Sequence, residues 1–165
     1  TRTPALVIVA LLALGAIQLA HYVPQLPDAV AVHFDTSGAP NSWNSKAQFA
    51  TTLAAFEALL AVIGLAGGLL VKRMPSSMIN IPNRDFWLHE ERREETLGFV
   101  AEQFMWIEAV TLAFVLAVGQ AIILGHLGGG APELSRSFLL VLPAFGLALA
   151  FVLIRILKRF GRPTA

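Results

Sequence analysis

Four long apolar runs, spanning about residues 4–23, 49–71, 104–125 and 137–157, decide what this chain can fold into. Crossing the hydrocarbon core of a bilayer takes about 20 helical residues, and each run reaches that length. Lipid offers backbone groups no hydrogen-bond partners, so a spanning segment is either a helix or a strand of a closed barrel. None of the runs alternates strictly between apolar and polar residues, which excludes the barrel. The expected fold is all-α, an integral membrane four-helix bundle forming a single membrane domain over residues 1–165. Composition agrees: 56% of the residues are apolar and 14% charged, and the mean hydropathy is +0.67, too apolar for an ordinary globular surface.

The basic residues predict the orientation. Arg2, Lys72, Arg73, Arg84, Arg92, Arg93, Arg155, Lys158, Arg159 and Arg162 fall at the N-terminus, the second loop and the C-terminal tail, and only Lys46 and Arg136 fall elsewhere. The positive-inside rule then places both termini and the linker at 72–103 in the cytoplasm. The loops at 21–48 and 126–136 lie outside. The first run also has the basic start of a secretory signal, but cleavage after Ala20 would put Gln18 where a small residue is needed. It is expected to remain as a helix.

The loop at 21–48 has a pattern of its own. Pro24 and Pro27 end the first helix, and Ala29–Phe34 reads as a short strand with Val30, Val32 and Phe34 alternating against Ala31 and His33. Asp35, Gly38, Pro40 and Asn41 carry turn chemistry. Trp43 stands where an interfacial aromatic belongs, just before the second helix. In the linker, Asn83 is a candidate N-cap with Asp85 in the first turn, and His89–Glu95 leads without a breaker into the third helix. That pattern predicts an interfacial cytoplasmic helix before helix three, with Arg92 and Arg93 near lipid headgroups.

Few polar residues fall inside the runs. Glu57 lies about two turns into the second helix, with Gln18 and Gln120 at comparable depth, so the three can form a polar cluster below the outer loop. A structural hydrogen-bond network is the simpler expectation, and a proton or ligand site is the alternative. Glu108 and Arg155 share a depth near the cytoplasmic side, which predicts an ion pair. Gly64 and Gly68 have the GxxxG spacing that lets helix backbones approach. That face packs inside the bundle or, alternatively, against a second copy.

Several chemistries have no residues to run them. There is no cysteine, so thiol catalysis and disulfides are excluded. His89-Glu90-Glu91-Arg92-Arg93 begins like a zinc-protease helix, but arginine stands where the second histidine is needed. His33 and Asp35 point the same way on a strand, yet nothing completes a metal site around them. A loop-stabilising hydrogen bond from His33 is expected instead. No catalytic set, cofactor motif or basic nucleic-acid patch is present, and neither a cofactor nor a metal is expected.

Two segments carry a resemblance. Leu26-Pro27-Asp28-Ala29-Val30-Ala31-Val32-His33-Phe34-Asp35, followed by Gly38-Ala39-Pro40-Asn41-Ser42-Trp43 and Ser45-Lys46, resembles a bacterial membrane domain of unknown function that also forms the N-terminal part of SdpI-like immunity proteins. Asn80-Ile81-Pro82-Asn83-Arg84-Asp85-Phe86-Trp87-Leu88, with Arg92 and Arg93 beyond it, resembles the cytoplasmic linker of stand-alone, four-helix members of that family. The immunity proteins proper are longer and add a further helical portion. The family brings no catalytic residues that carry over.

The resemblance and topology together imply a multi-pass protein of the bacterial inner membrane, embedded in the lipid bilayer, with a protein partner or a second copy beside it. The expected role is non-enzymatic, recognising a peptide, lipid or protein partner in immunity or sensing. One alternative is a structural accessory subunit of a larger complex, and another is a small transporter or membrane enzyme using Glu57.

Overall fold

The computed structural model of the protein describes residues 2–129, 132 and 138–161. Arg136, Ser137, Arg162 and most of the 126–136 loop lie outside the described residues. Four helices are long and apolar enough to cross a membrane. They are α1 (Arg2–Tyr22), α2 (Lys46–Val71), α4 (Glu90–Leu127) and α5 (Phe138–Phe160), with a single-turn α3 at Arg84–Trp87. Such a set suits a multi-pass membrane protein.

The chain is not purely helical. Strands β1 (Ala29–Phe34) and β2 (Pro40–Ser45) form an antiparallel hairpin between α1 and α2. The sequence places Pro40 and Asn41 in a turn, but they belong to β2, where Pro40 pairs with Phe34. Proline is tolerated there because it is the first residue of the strand. The turn is shorter, running from Asp35 to Ala39, with Gly38 at φ 83°. Pairing is irregular on either side of His33, and Ala31 is buried alongside Val30 instead of alternating with it.

α2 starts at Lys46, ahead of the apolar run, because Ser45 and Gln48 form a capping box. Gln48 N–H donates to Ser45 Oγ (3.1 Å), and Ser45 N–H donates to Gln48 Oε1 (3.0 Å). The helix expected before helix three is split: one turn forms as α3, and the charged stretch after it joins the third span. Residues 90–103 are the first turns of α4 itself, since the sequence holds no breaker between them and the apolar run. Asn83 stands at the N-cap position of α3, with Asp85 in the first turn, but its backbone is left-handed (φ 54°, ψ 40°) and its side chain makes no capping bond. The short amide makes that conformation accessible to asparagine.

α4 is the centre of the bundle. It packs against α1, α2 and α5, while α5 packs chiefly on α4. Ile8, Ala61, Met105, Ala109, Leu112 and Leu116 fill the space between α1, α2 and α4. Small residues set how closely those helices approach. A Cβ on Gly64 would lie 2.9 Å from Glu108 Cβ and 2.9 Å from Ile8 Cδ1, and one on Gly68 would lie 2.7 Å from Met105 Cγ. The GxxxG face is therefore occupied within the chain and is not presented to a second copy.

Candidate functional site

The hairpin closes one end of the bundle, and three local devices hold it. At its base Lys46 Nζ pairs with Asp28 Oδ1 (3.1 Å), and Lys46 N–H donates to the Asp28 carbonyl (3.0 Å). At its tip the Asp35 carboxylate accepts from Ser37 Oγ (2.6 Å), Ser37 N–H (2.8 Å) and Ala39 N–H (3.1 Å). These donors, the Ser37 hydroxyl first, hold the carboxyl below the usual aspartate range. In the middle, Ala31 N–H donates to His126 Nε2 (2.8 Å), and His126 Nδ1 lies 2.8 Å from the Ile122 carbonyl. With Nε2 accepting, Nδ1 carries the proton and donates to Ile122. Trp43, half exposed, meets the His126 ring edge-on at 6.5 Å.

His126 therefore does what the sequence assigns to His33. The His33 side chain is exposed and makes no hydrogen bond among the described residues. It does not meet Asp35, because the Asp35 carboxylate is turned into its own loop. Among the described residues no group of three or more His, Asp or Glu side chains could hold a metal ion.

What His33 faces is a cleft of about 390 Å³ between the hairpin and the start of α2. Its rim carries His33, Ser42, Asn44 and Thr52, and Phe49 and Phe56 contribute to its apolar wall. Phe49 is fixed by Leu26, Val30 and Ile123 in a small core beneath the hairpin. The chemistry is amphipathic: uncommitted polar groups along one edge, aromatic surface along the other.

The intramembrane polar residues are placed as follows. Gln18 Nε2 donates to Gln120 Oε1 (2.7 Å) and to the Leu116 carbonyl (3.2 Å). Glu57, 2% exposed, sits against Gly15 one turn away, and its Oε1 makes no hydrogen bond. The expected Glu108–Arg155 pair does not form. Arg155 Nη2 reaches Glu102 Oε1 at 3.9 Å, while Glu108 is turned toward Gly64 of α2. Six residues separate Glu102 from Glu108, over a helical turn and a half, and only the former shares the α5 side of α4.

At the opposite end the linker motif is almost wholly engaged. Asn83 Nδ2 donates to the carbonyls of Phe160 (3.2 Å) and Gly161 (3.4 Å), satisfying the end of α5. Trp87 is buried, edge-on to Phe160 at 5.6 Å, and Arg159 lies 4.8 Å over its ring while pairing with Glu95. Arg93 donates to the Met74 carbonyl (2.7 Å) and Ser76 Oγ (3.2 Å). Arg92 stacks 4.3 Å over Phe86. Arg84 pairs with the adjacent Asp85 at 3.4 Å, and Asn80 and Pro82 are exposed.

A family model for a domain of unknown function, DUF1648, matches residues 6–56. That stretch covers most of α1, the hairpin and the start of α2, and contains every cleft residue named above. No curated protein and no solved structure matches the chain.

Proposed function

We propose that this is a non-enzymatic recognition protein of the bacterial inner membrane, a stand-alone relative of the SdpI-like immunity proteins. Its hairpin faces outward and takes an amphipathic peptide or protein segment into the cleft beside α2. The observation that carries this reading is the cleft itself, where His33, Ser42, Asn44 and Thr52 line an edge above Phe49 and Phe56. An apolar pocket with a few convergent polar groups is the default form of a binding site. Its hydroxyls, Ser42 and Thr52, make no hydrogen bond to His33, so no activated nucleophile is assembled there, which favours recognition over catalysis. Both termini are placed in the cytoplasm, on the basic-residue asymmetry.

A photo-crosslinking side chain at Ser42 tests the reading in living cells, with Thr51, near the start of α2 and outside the cleft lining, as the control position. Adducts of peptide or protein mass from Ser42 alone, lost on His33→Ala with Phe56→Ala, are expected. Lipid adducts only, or equal labelling at both positions, would exclude it. The accessory-subunit reading draws on α5, which leaves Leu139, Leu140, Leu147 and Phe151 exposed. Co-purification of a stoichiometric partner lost on substitution along that face would favour it.

A further inference from the structure

Beside the Gln18–Gln120 bond runs a second cleft, about 510 Å³ in volume, between α1 and α4. It shares no lining residue with the hairpin cleft. Leu14, Ala113 and Ala117 line its apolar length, and Tyr22 stands at its hairpin end. Ala113 and Ala117 also line an apolar groove of about 370 Å³ between α4 and α5, so the two spaces meet along the face of α4.

The polar end of this cleft is half satisfied. Gln18 is 9% exposed, and its amide nitrogen is engaged by Gln120 Oε1 and the Leu116 carbonyl, but its Oε1 has no hydrogen-bond partner. Gln120 accepts through Oε1, while its own amide nitrogen makes no hydrogen bond. The pair therefore offers an unmet acceptor and an unmet donor at one level of the cleft, and such groups are costly to leave alone where apolar chains replace water. A single group answers both: an amide, whose carbonyl accepts from Gln120 and whose N–H donates to Gln18.

We propose that the α1–α4 cleft binds a lipid-like acyl amide, its amide at Gln18 and Gln120 and its apolar chain along Ala117 and Ala113. A volume near 500 Å³ lies within the roughly 300–1,000 Å³ of small-molecule sites. A peptide fits less well, because it brings an amide at every residue and the cleft satisfies one.

The test uses the intact protein in phosphatidylcholine nanodiscs, titrated calorimetrically with N-methyldodecanamide and with methyl dodecanoate. These probes share chain and carbonyl, and only the amide has an N–H. The wild-type protein is expected to bind the amide about tenfold more tightly, the size of effect one well-placed hydrogen bond gives. Gln18→Leu should erase that preference, Gln120→Leu should weaken both probes, and Ala117→Phe should block both. The wild-type comparison needs no variant, so it stands even if a substituted chain fails to fold. Equal affinity for the two probes, binding unchanged in Ala117→Phe, or no binding beyond the bilayer itself would overturn the proposal and leave an ordinary lipid-filled groove.

Discussion

The two ends of this bundle are built by opposite rules. At the linker end the motif side chains are engaged with the protein: Asn83 ends α5, Arg93 ties down the Met74–Ser76 turn, and Trp87 packs between Phe86, Phe160 and Arg159. At the hairpin end the fold rests largely on backbone pairing and three local ties, and His33, Ser42 and Asn44 remain uncommitted beside a cleft. The difference teaches where to look for function. A motif whose side chains are mostly packed and bonded within the protein explains itself as architecture, even though Trp87 Nε1 is buried without a hydrogen-bond partner. One that holds its shape while leaving polar groups unsatisfied has capacity for a partner.

The strongest way to break this contrast is to remove Trp87. It is 8% exposed and sits at the centre of the linker-end cluster. Trp87→Ala should cost about 3–5 kcal/mol, as large-to-small changes of buried aromatics do. The thermal midpoint in detergent should fall accordingly, and protease cutting should begin in the linker. If cutting instead begins in the hairpin, the two ends are not independent.

Next in size is His126, the tie between hairpin and α4. His126→Ala leaves the Ala31 N–H buried without an acceptor, which costs about 1–3 kcal/mol. Hydrogen exchange at Ala31 should accelerate by roughly ten- to a hundredfold, with the linker end unchanged. Unaltered protection at Ala31 would mean the strand pairing alone holds the hairpin in place.

The sequence announces these two ends unequally. The spans were legible because hydrocarbon thickness fixes helix length, and only the ends moved: α2 gained a turn from its Ser45–Gln48 capping box. Depth along the helices was enough to bring Gln18 and Gln120 to one level. β2 was not legible, because Pro-Asn-Ser-Trp-Asn-Ser has the composition of a turn and becomes a strand only through pairing with β1. The contacts of His126 and Asn83 are illegible for a different reason. Their partners, Ala31 and Phe160, lie 95 and 77 residues away, and no local pattern encodes a contact at that distance. Arg155 was assigned the wrong acid because depth fixes a level in the bundle and not a side of the helix.

A smaller effect should come from acid. Asp35 is held below the ordinary aspartate range by Ser37 and Ala39, so its ionised form is favoured in the folded turn. Its stabilisation is fully present above the ordinary aspartate value. It is lost as pH falls through the lowered one, where folded and unfolded chains both bind the proton. Amides at Ser37 and Ala39 should therefore lose protection only at low pH, and Asp35→Asn should weaken that dependence. A turn equally ordered in Asp35→Asn at every pH would show that Gly38 and the backbone bonds suffice.

The smallest change in stability, and the sharpest test of the comparison, belongs to His33. Its ring is exposed and makes no hydrogen bond among the described residues, so His33→Ala removes no contact the fold uses. Substitutions at such positions stay within about 0.5 kcal/mol of the parent, and the thermal midpoint and the hairpin's protease resistance should both hold. Recognition should not. If the cleft takes an amphipathic segment, losing its most exposed polar ring should reduce crosslinking at Ser42 several-fold while leaving the fold intact, and His33→Asn, which keeps a donor and an acceptor, should restore part of it. A loosened hairpin in His33→Ala would mean that this histidine belongs to the architecture after all. The hairpin end would then be built on the same rule as the linker end, with no side chain kept in reserve.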